Sequence, residues 1–90
     1  MTVNEAYKVL RVDDGSNYEV ISYLTEALPG YIEATTGMSE SDQMAEPLVD
    51  VVSGLLLTQW YYADHADDQA LTRTINSLLK VITLKAKRTE

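Results

Sequence analysis

Asp64, His65, Asp67 and Asp68 form the one cluster in the chain made of metal-ligating residue types. A hard cation needs several oxygens converging on one point, and a zinc site usually needs more nitrogen or sulfur than a single histidine offers. The spacing also lacks the mid-loop glycine and closing glutamate of a calcium loop. The cluster therefore reads as a solvated loop that caps the next helix, and neither a metal nor a cofactor is expected. Asp13-Asp14-Gly15 begins like a calcium loop, but nothing downstream completes it, so it reads as a helix-to-helix turn. Nucleophilic catalysis needs a base beside a serine or threonine, and the only histidine sits in a polar break without a nucleophile elbow. No catalytic residue is assigned, and the chain is expected not to be an enzyme.

Two other groups have the chemistry of contact. Trp60-Tyr61-Tyr62 could stack on bases, but adjacent helical residues point about 100° apart, so the three cannot share one ligand. A role in the core and at a subunit interface is the favoured reading. Lys80, Lys85, Lys87 and Arg88 follow one another with no acid before Glu90. This strip could touch DNA phosphates or pair with the acidic face of a neighbouring subunit. The neighbour is favoured because Glu26 and Glu33 supply the matching sign. Trp60, Tyr61 and Tyr62 are thus expected to make apolar oligomer contacts, and the four bases charged ones.

The elements that must carry these groups are helical. Thr2 and Glu5 have the spacing of a capping box, and Val3, Ala6, Tyr7 and Leu10 follow at helical intervals. Ser16 and Glu19 make a second such pair ahead of Val20, Ile21, Leu24, Ala27, Leu28, Tyr31, Ile32 and Thr35. That pattern predicts an amphipathic helix ended by Gly37, with a kink or restart at Pro29. Glu19, Glu26 and Glu33 fall on its other side, so an acidic face should look outward. Gly37 to Glu46 is polar and reads as a loop, and Pro47 suits a helix start. From Leu48 to Tyr62 apolar residues cover more than one stripe, as expected of a central helix or of one partly buried by another subunit. A last helix beginning near Asp68 shows Leu71, Ile75, Leu78, Leu79 and Ile82 on one face and leaves Val81 and Leu84 on another. The expectation is an all-α fold, a small bundle of about four helices of unequal length, forming one domain over residues 1–90.

Composition narrows the function classes. With no cysteine there is no disulfide and no thiolate chemistry, so the fold must rest on packing. The longest apolar run is interrupted by Asp50, Ser53, Gly54, Thr58 and Gln59, and no membrane span is expected. The opening MTVNEAYK lacks the basic-then-apolar order of a secretory signal, so the chain is expected to stay in the compartment where it is made. The net charge is -7, and residues 1 to 45 hold two bases against eight acids while residues 46 to 90 hold five against six. Such an acidic body repels phosphates, which argues against sequence-reading DNA binding.

Four segments together resemble the head-tail connector family of tailed phages, also described as head-completion or DNA-packaging adaptor proteins. They are Val9-Leu10-Arg11-Val12-Asp13, Leu28-Pro29-Gly30-Tyr31-Ile32-Glu33 running to Thr35-Thr36-Gly37, Gln59-Trp60-Tyr61, and Arg73-Thr74-Ile75-Asn76-Ser77-Leu78-Leu79. Order and spacing hold from about residue 3 to residue 88. Each segment is short, and the specificity lies in their joint occurrence. The family commonly follows Trp-Tyr with a polar pair such as Asn-Arg, whereas this chain continues Tyr62-Ala63-Asp64, so that arginine's contact is not carried over.

The resemblance implies a helical subunit that forms a ring with copies of itself below the portal protein. The ring would extend the DNA channel and seat a tail-side head-completion protein. DNA would pass through without sequence-specific binding. The surplus of carboxylates, apart from the resemblance, makes Glu19, Glu26 and Glu33 the expected acidic lining of such a channel. The expected location is the head-tail junction of the virion, with host cytoplasm as the place of assembly. The family brings no catalytic residues. A rival expectation is an acidic helical regulatory protein that binds and masks a basic surface of a host or phage partner.

Overall fold

The chain starts with a reciprocal cap. The Glu5 amide donates to Thr2 Oγ1 at 3.1 Å, and the Thr2 amide donates to Glu5 Oε1 at 3.0 Å. In the computed structural model, which describes residues 1–62 and 68–88, this box opens α1 (Val3–Leu10). Arg11 ends α1 in a left-handed conformation, φ 58°, with its amide turned back to the Lys8 and Tyr7 carbonyls.

The second expected capping box does not form. Helix α2 (Tyr18–Thr36) has Asn17 as its N-cap, at φ 49° and without a side-chain cap bond. Glu19 is then the second helical residue, one short of the position from which a capping glutamate reaches back. The Ser16 amide instead closes a turn on the Asp13 carbonyl at 3.0 Å. The helix does not restart at Pro29. It stops at Gly37, whose φ of 83° suits glycine and whose amide donates to the Glu33 carbonyl at 2.8 Å.

A single turn, α3 (Glu40–Gln43), lies inside the segment expected to be loop. Ser39 Oγ accepts from the Asp42 amide at 3.3 Å, and Gln43 is buried. The Gln43 side-chain Nε2 donates to the Pro29 and Met38 carbonyls, at 3.0 Å each, which satisfies a polar group that would be costly to bury alone. Helix α4 (Pro47–Tyr61) begins with Pro47 in its first turn. Helix α5 (Gln69–Arg88) follows Asp68, whose Oδ1 accepts from the Leu71 amide at 3.0 Å.

Helices α2, α4 and α5 pack against one another pairwise, α1 lies on α2 and α4, and α3 on α2. Their inward residues form one cluster, in which Ile21, Ile32, Val52, Leu57 and Ile82 are fully inaccessible. Each such side chain contributes roughly 1.5 to 3 kcal/mol by leaving water. The breadth of apolar surface on α4 has a structural cause, because this helix meets α1, α2 and α5. Buried Thr25 and Thr36 hydroxyls donate to the Ile21 and Ile32 carbonyls at 2.7 and 2.6 Å, so the α2 core face carries polar atoms without leaving them unmatched. The fold is all-α, with five helices and no strand among the described residues. No helix among them is long and apolar enough to cross a membrane.

Candidate interaction surface

The aromatic triplet sits at the end of α4 and ties three parts of the chain together. The Trp60 ring meets Tyr31 of α2 edge to face, with centroids 5.2 Å apart and planes at 87°. Tyr61 Oη accepts from the Asn17 side-chain amide ahead of α2. Tyr62 Oη donates to the Leu10 carbonyl at 2.6 Å, at the end of α1. The Tyr61 and Tyr62 rings also meet at 90°, with centroids 5.0 Å apart. All three are half-buried against the core, so only part of each ring faces outward. Trp60 and Tyr61 thus hold the body and the N-cap residue of α2, and Tyr62, the extended residue that ends α4, holds the end of α1.

The four bases of the expected strip, all on α5, separate into two groups. Lys85 is half-buried, and its Nζ donates to Glu46 Oε1 and Oε2 at 3.0 and 3.1 Å. Glu46 Oε1 also accepts from the Leu48 amide at 3.2 Å, so one carboxylate caps α4 and anchors α5. The Lys85 hydrogen bond, then the Leu48 amide, hold the Glu46 carboxyl below the usual carboxylate range. Lys80, Lys87 and Arg88 are exposed. Lys85 to Glu46 is the one ion pair among the described residues.

Arg73 is a cation that the sequence reading placed in a motif but not in the basic strip, and it too is exposed on α5. Arg73, Lys80 and Lys87 are seven residues apart, so they drift only about 20° per step and share one outward face. The signal for this row in the sequence is its period, because the helix presents the cations by sevens and not by adjacency. Glu19, Glu26 and Glu33 make the corresponding row on α2, and all three are exposed. Ser22 Oγ lies 3.5 Å from Glu26 Oε1, a long local contact.

A cleft of about 240 Å³ opens between Met1, Leu28 and Pro29 on one side and Val49 and Ser53 of α4 on the other. It is smaller than the roughly 300 to 1,000 Å³ cavities that enclose small ligands. Among the described residues no three His, Asp or Glu side chains converge on a point where a metal ion could sit. Asp64, His65 and Asp67 of the sequence cluster lie outside the described residues, and Asp68 caps α5.

No family model, curated protein or solved structure matches the chain.

Proposed function

We propose that the chain is a structural subunit, not an enzyme, that assembles with copies of itself into a ring at the head-tail junction of a tailed phage. In this reading the helices form a small bundle, a single domain over residues 1–90 with no cofactor. The ring lies below the portal protein, extends the DNA channel and seats a tail-side head-completion protein. The protein is then a virion component, assembled in the host cytoplasm.

One observation carries the reading: two exposed rows of opposite charge stand on two different helices of the same chain. A ring joint is heterologous and needs unlike, complementary flanks, whereas a single self-complementary patch closes a twofold dimer. The small cleft supports surface contact over small-molecule chemistry. The resembling segments support it as well, two of them at helix ends and two along helices. Val9 to Asp13 ends α1, Leu28 to Gly37 forms the second half of α2, Gln59-Trp60-Tyr61 ends α4, and Arg73 to Leu79 lies on α5. A surplus of carboxylates also suits a channel protein, since phosphate attraction is what makes DNA stick.

The test is cosedimentation of the purified chain with portal-bearing capsids that lack head-completion proteins. Binding at a fixed multiple of the portal, with improved DNA retention, is the expected result. Failure to bind such capsids at any salt concentration would contradict the reading.

A masking protein is the second reading. It is favoured by the absence of any lysine or arginine between Arg11 and Arg73, which leaves α2, α3 and α4 purely acidic. Such a protein would stay a monomer or dimer on its own and bind one basic partner strongly at low salt.

A further inference from the structure

Two outward helix faces match in spacing and oppose in sign. On α2 the carboxylates Glu19, Glu26 and Glu33 run beside exposed Val20, Tyr23, Ala27 and Gly30. On α5 the cations Arg73, Lys80 and Lys87 run beside exposed Ser77, Val81 and Leu84. Each charged row spans fourteen residues, about 21 Å of helix. α2 carries no base and α5 no acid. The apolar neighbours are well exposed, Val20 at 51%, Tyr23 at 71%, Val81 at 41% and Leu84 at 52%.

We infer that the outward face of α2 in one copy docks antiparallel on the outward face of α5 in a second copy, with Glu19 against Lys87, Glu26 against Lys80 and Glu33 against Arg73. The sense of packing follows from handedness. On α2 Val20 and Tyr23 lie one and four positions after Glu19, and on α5 Val81 and Leu84 lie one and four positions after Lys80, which puts the charges on the same flank of the seam. Parallel helices would send those flanks to opposite sides of the contact, whereas antiparallel helices bring them together. The charges then fall in register because both rows advance by seven. Val20 meets Leu84 and Tyr23 meets Val81 in adjacent layers, while Ala27 and Gly30 let the backbones come close opposite Ser77 and Thr74. Antiparallel dipoles add to the fit.

The charge that complements each face stands on the other face of the same chain, which makes another copy the occupant. α2, α4 and α5 all turn their buried stripes to one core, so the outward faces of α2 and α5 point in different directions and cannot meet within a chain. Because the faces are unlike, each copy can engage two neighbours, and the contact propagates to a ring or a filament. The joint rests on the self-assembling subunit proposed above, names its contact, and assigns the carboxylate row to that contact instead of to a channel wall. Lys85 takes no part, since Glu46 already holds it.

The experiment uses two full-length variants, Glu19→Lys/Glu26→Lys/Glu33→Lys and Arg73→Glu/Lys80→Glu/Lys87→Glu, studied alone and mixed 1:1 by sedimentation velocity at low ionic strength. Wild-type chain is expected to form species larger than a dimer. Each variant alone should sediment as monomer with unchanged helical circular dichroism, and the mixture should recover species larger than a dimer. Glu26→Lys alone should weaken association about tenfold, and adding Lys80→Glu to the same chain should restore it. If a triple variant loses helicity, its neutral counterpart with Gln at the same positions must still weaken association. Monomeric wild type, variants that assemble like wild type, or a folded mixture that stays monomeric would each overturn the joint. Assembly that ignores the charges would leave the ring reading standing with a different contact. Rescue by mixing, without binding to portal-bearing capsids, would keep the joint and remove the connector reading.

Discussion

Seen from the core, α2 and α5 are equivalent: Ile21, Leu28 and Ile32 of the first and Ile75, Leu79 and Ile82 of the second enter one apolar cluster. Seen from solvent they are opposites, with glutamate every seventh residue on α2 and a cation every seventh residue on α5. The inward halves obey the same demand, removal of apolar area from water, and so converge on the same residue types. The outward halves are free of that demand, and their difference is where function can be written. The ends of the helices also differ. α2 is stopped by a left-handed glycine, while the last turns of α5 are tied to α4 through Lys85 and Glu46.

The inward equivalence can be broken most severely. Ile32→Ala and Ile82→Ala, both at fully inaccessible positions, should each cost about 2 to 5 kcal/mol in urea unfolding. Costs similar in the two helices would support one shared core, and a negligible cost in either would detach that helix from it.

The glycines of α2 sharpen the contrast in how the helices end. Gly37→Ala forces a side chain into a φ of 83° and should destabilise by about 1 kcal/mol. Gly30→Ala adds a methyl where nothing lies within 4 Å inside a helix, and should stabilise the monomer by about 0.5 to 1 kcal/mol. Thermal melts at low protein concentration would read both signs.

The tether on α5 predicts a pH effect. The folded Glu46 carboxyl is held below its ordinary value by Lys85 and the Leu48 amide. Its contribution to stability is therefore present above the unfolded-state value and is lost as pH falls through the lowered folded value. Glu46→Gln should flatten that part of the acid limb of a Tm against pH curve, and an unchanged limb would remove the tether from the account. Smallest of all should be the outward charges. Glu26→Gln and Lys80→Gln should leave monomer stability within about 0.5 kcal/mol, as expected for exposed side chains outside any network.

Much of the fold was legible because burial imposes periodicity. The inward residues of α5 follow the expected stripe, and Val81 and Leu84 are exposed as the remainder. The Thr2 and Glu5 box, Gly37 and Pro47 were readable because each acts within one turn. α3 was not, since a single polar turn held by Gln43 through distant carbonyls leaves no period to detect. Ser16 misled because a capping box and a turn use the same residues, and the Asp13 carbonyl claims the Ser16 amide. At the candidate surface, the partner of Lys85 was hidden because Glu46 lies far away in sequence. The contacts of Trp60, Tyr61 and Tyr62 with Tyr31, Asn17 and Leu10 were hidden for the same reason. Arg73 is legible in the sequence as the first member of a seven-residue series.

The most direct test of unlike flanks joining copy to copy is the mass of the native wild-type particle across a range of protein concentrations at low salt. A closed assembly of more than two copies, dissociating as salt rises, is the predicted result. A mass that stays at one copy, or stops at two, would contradict it.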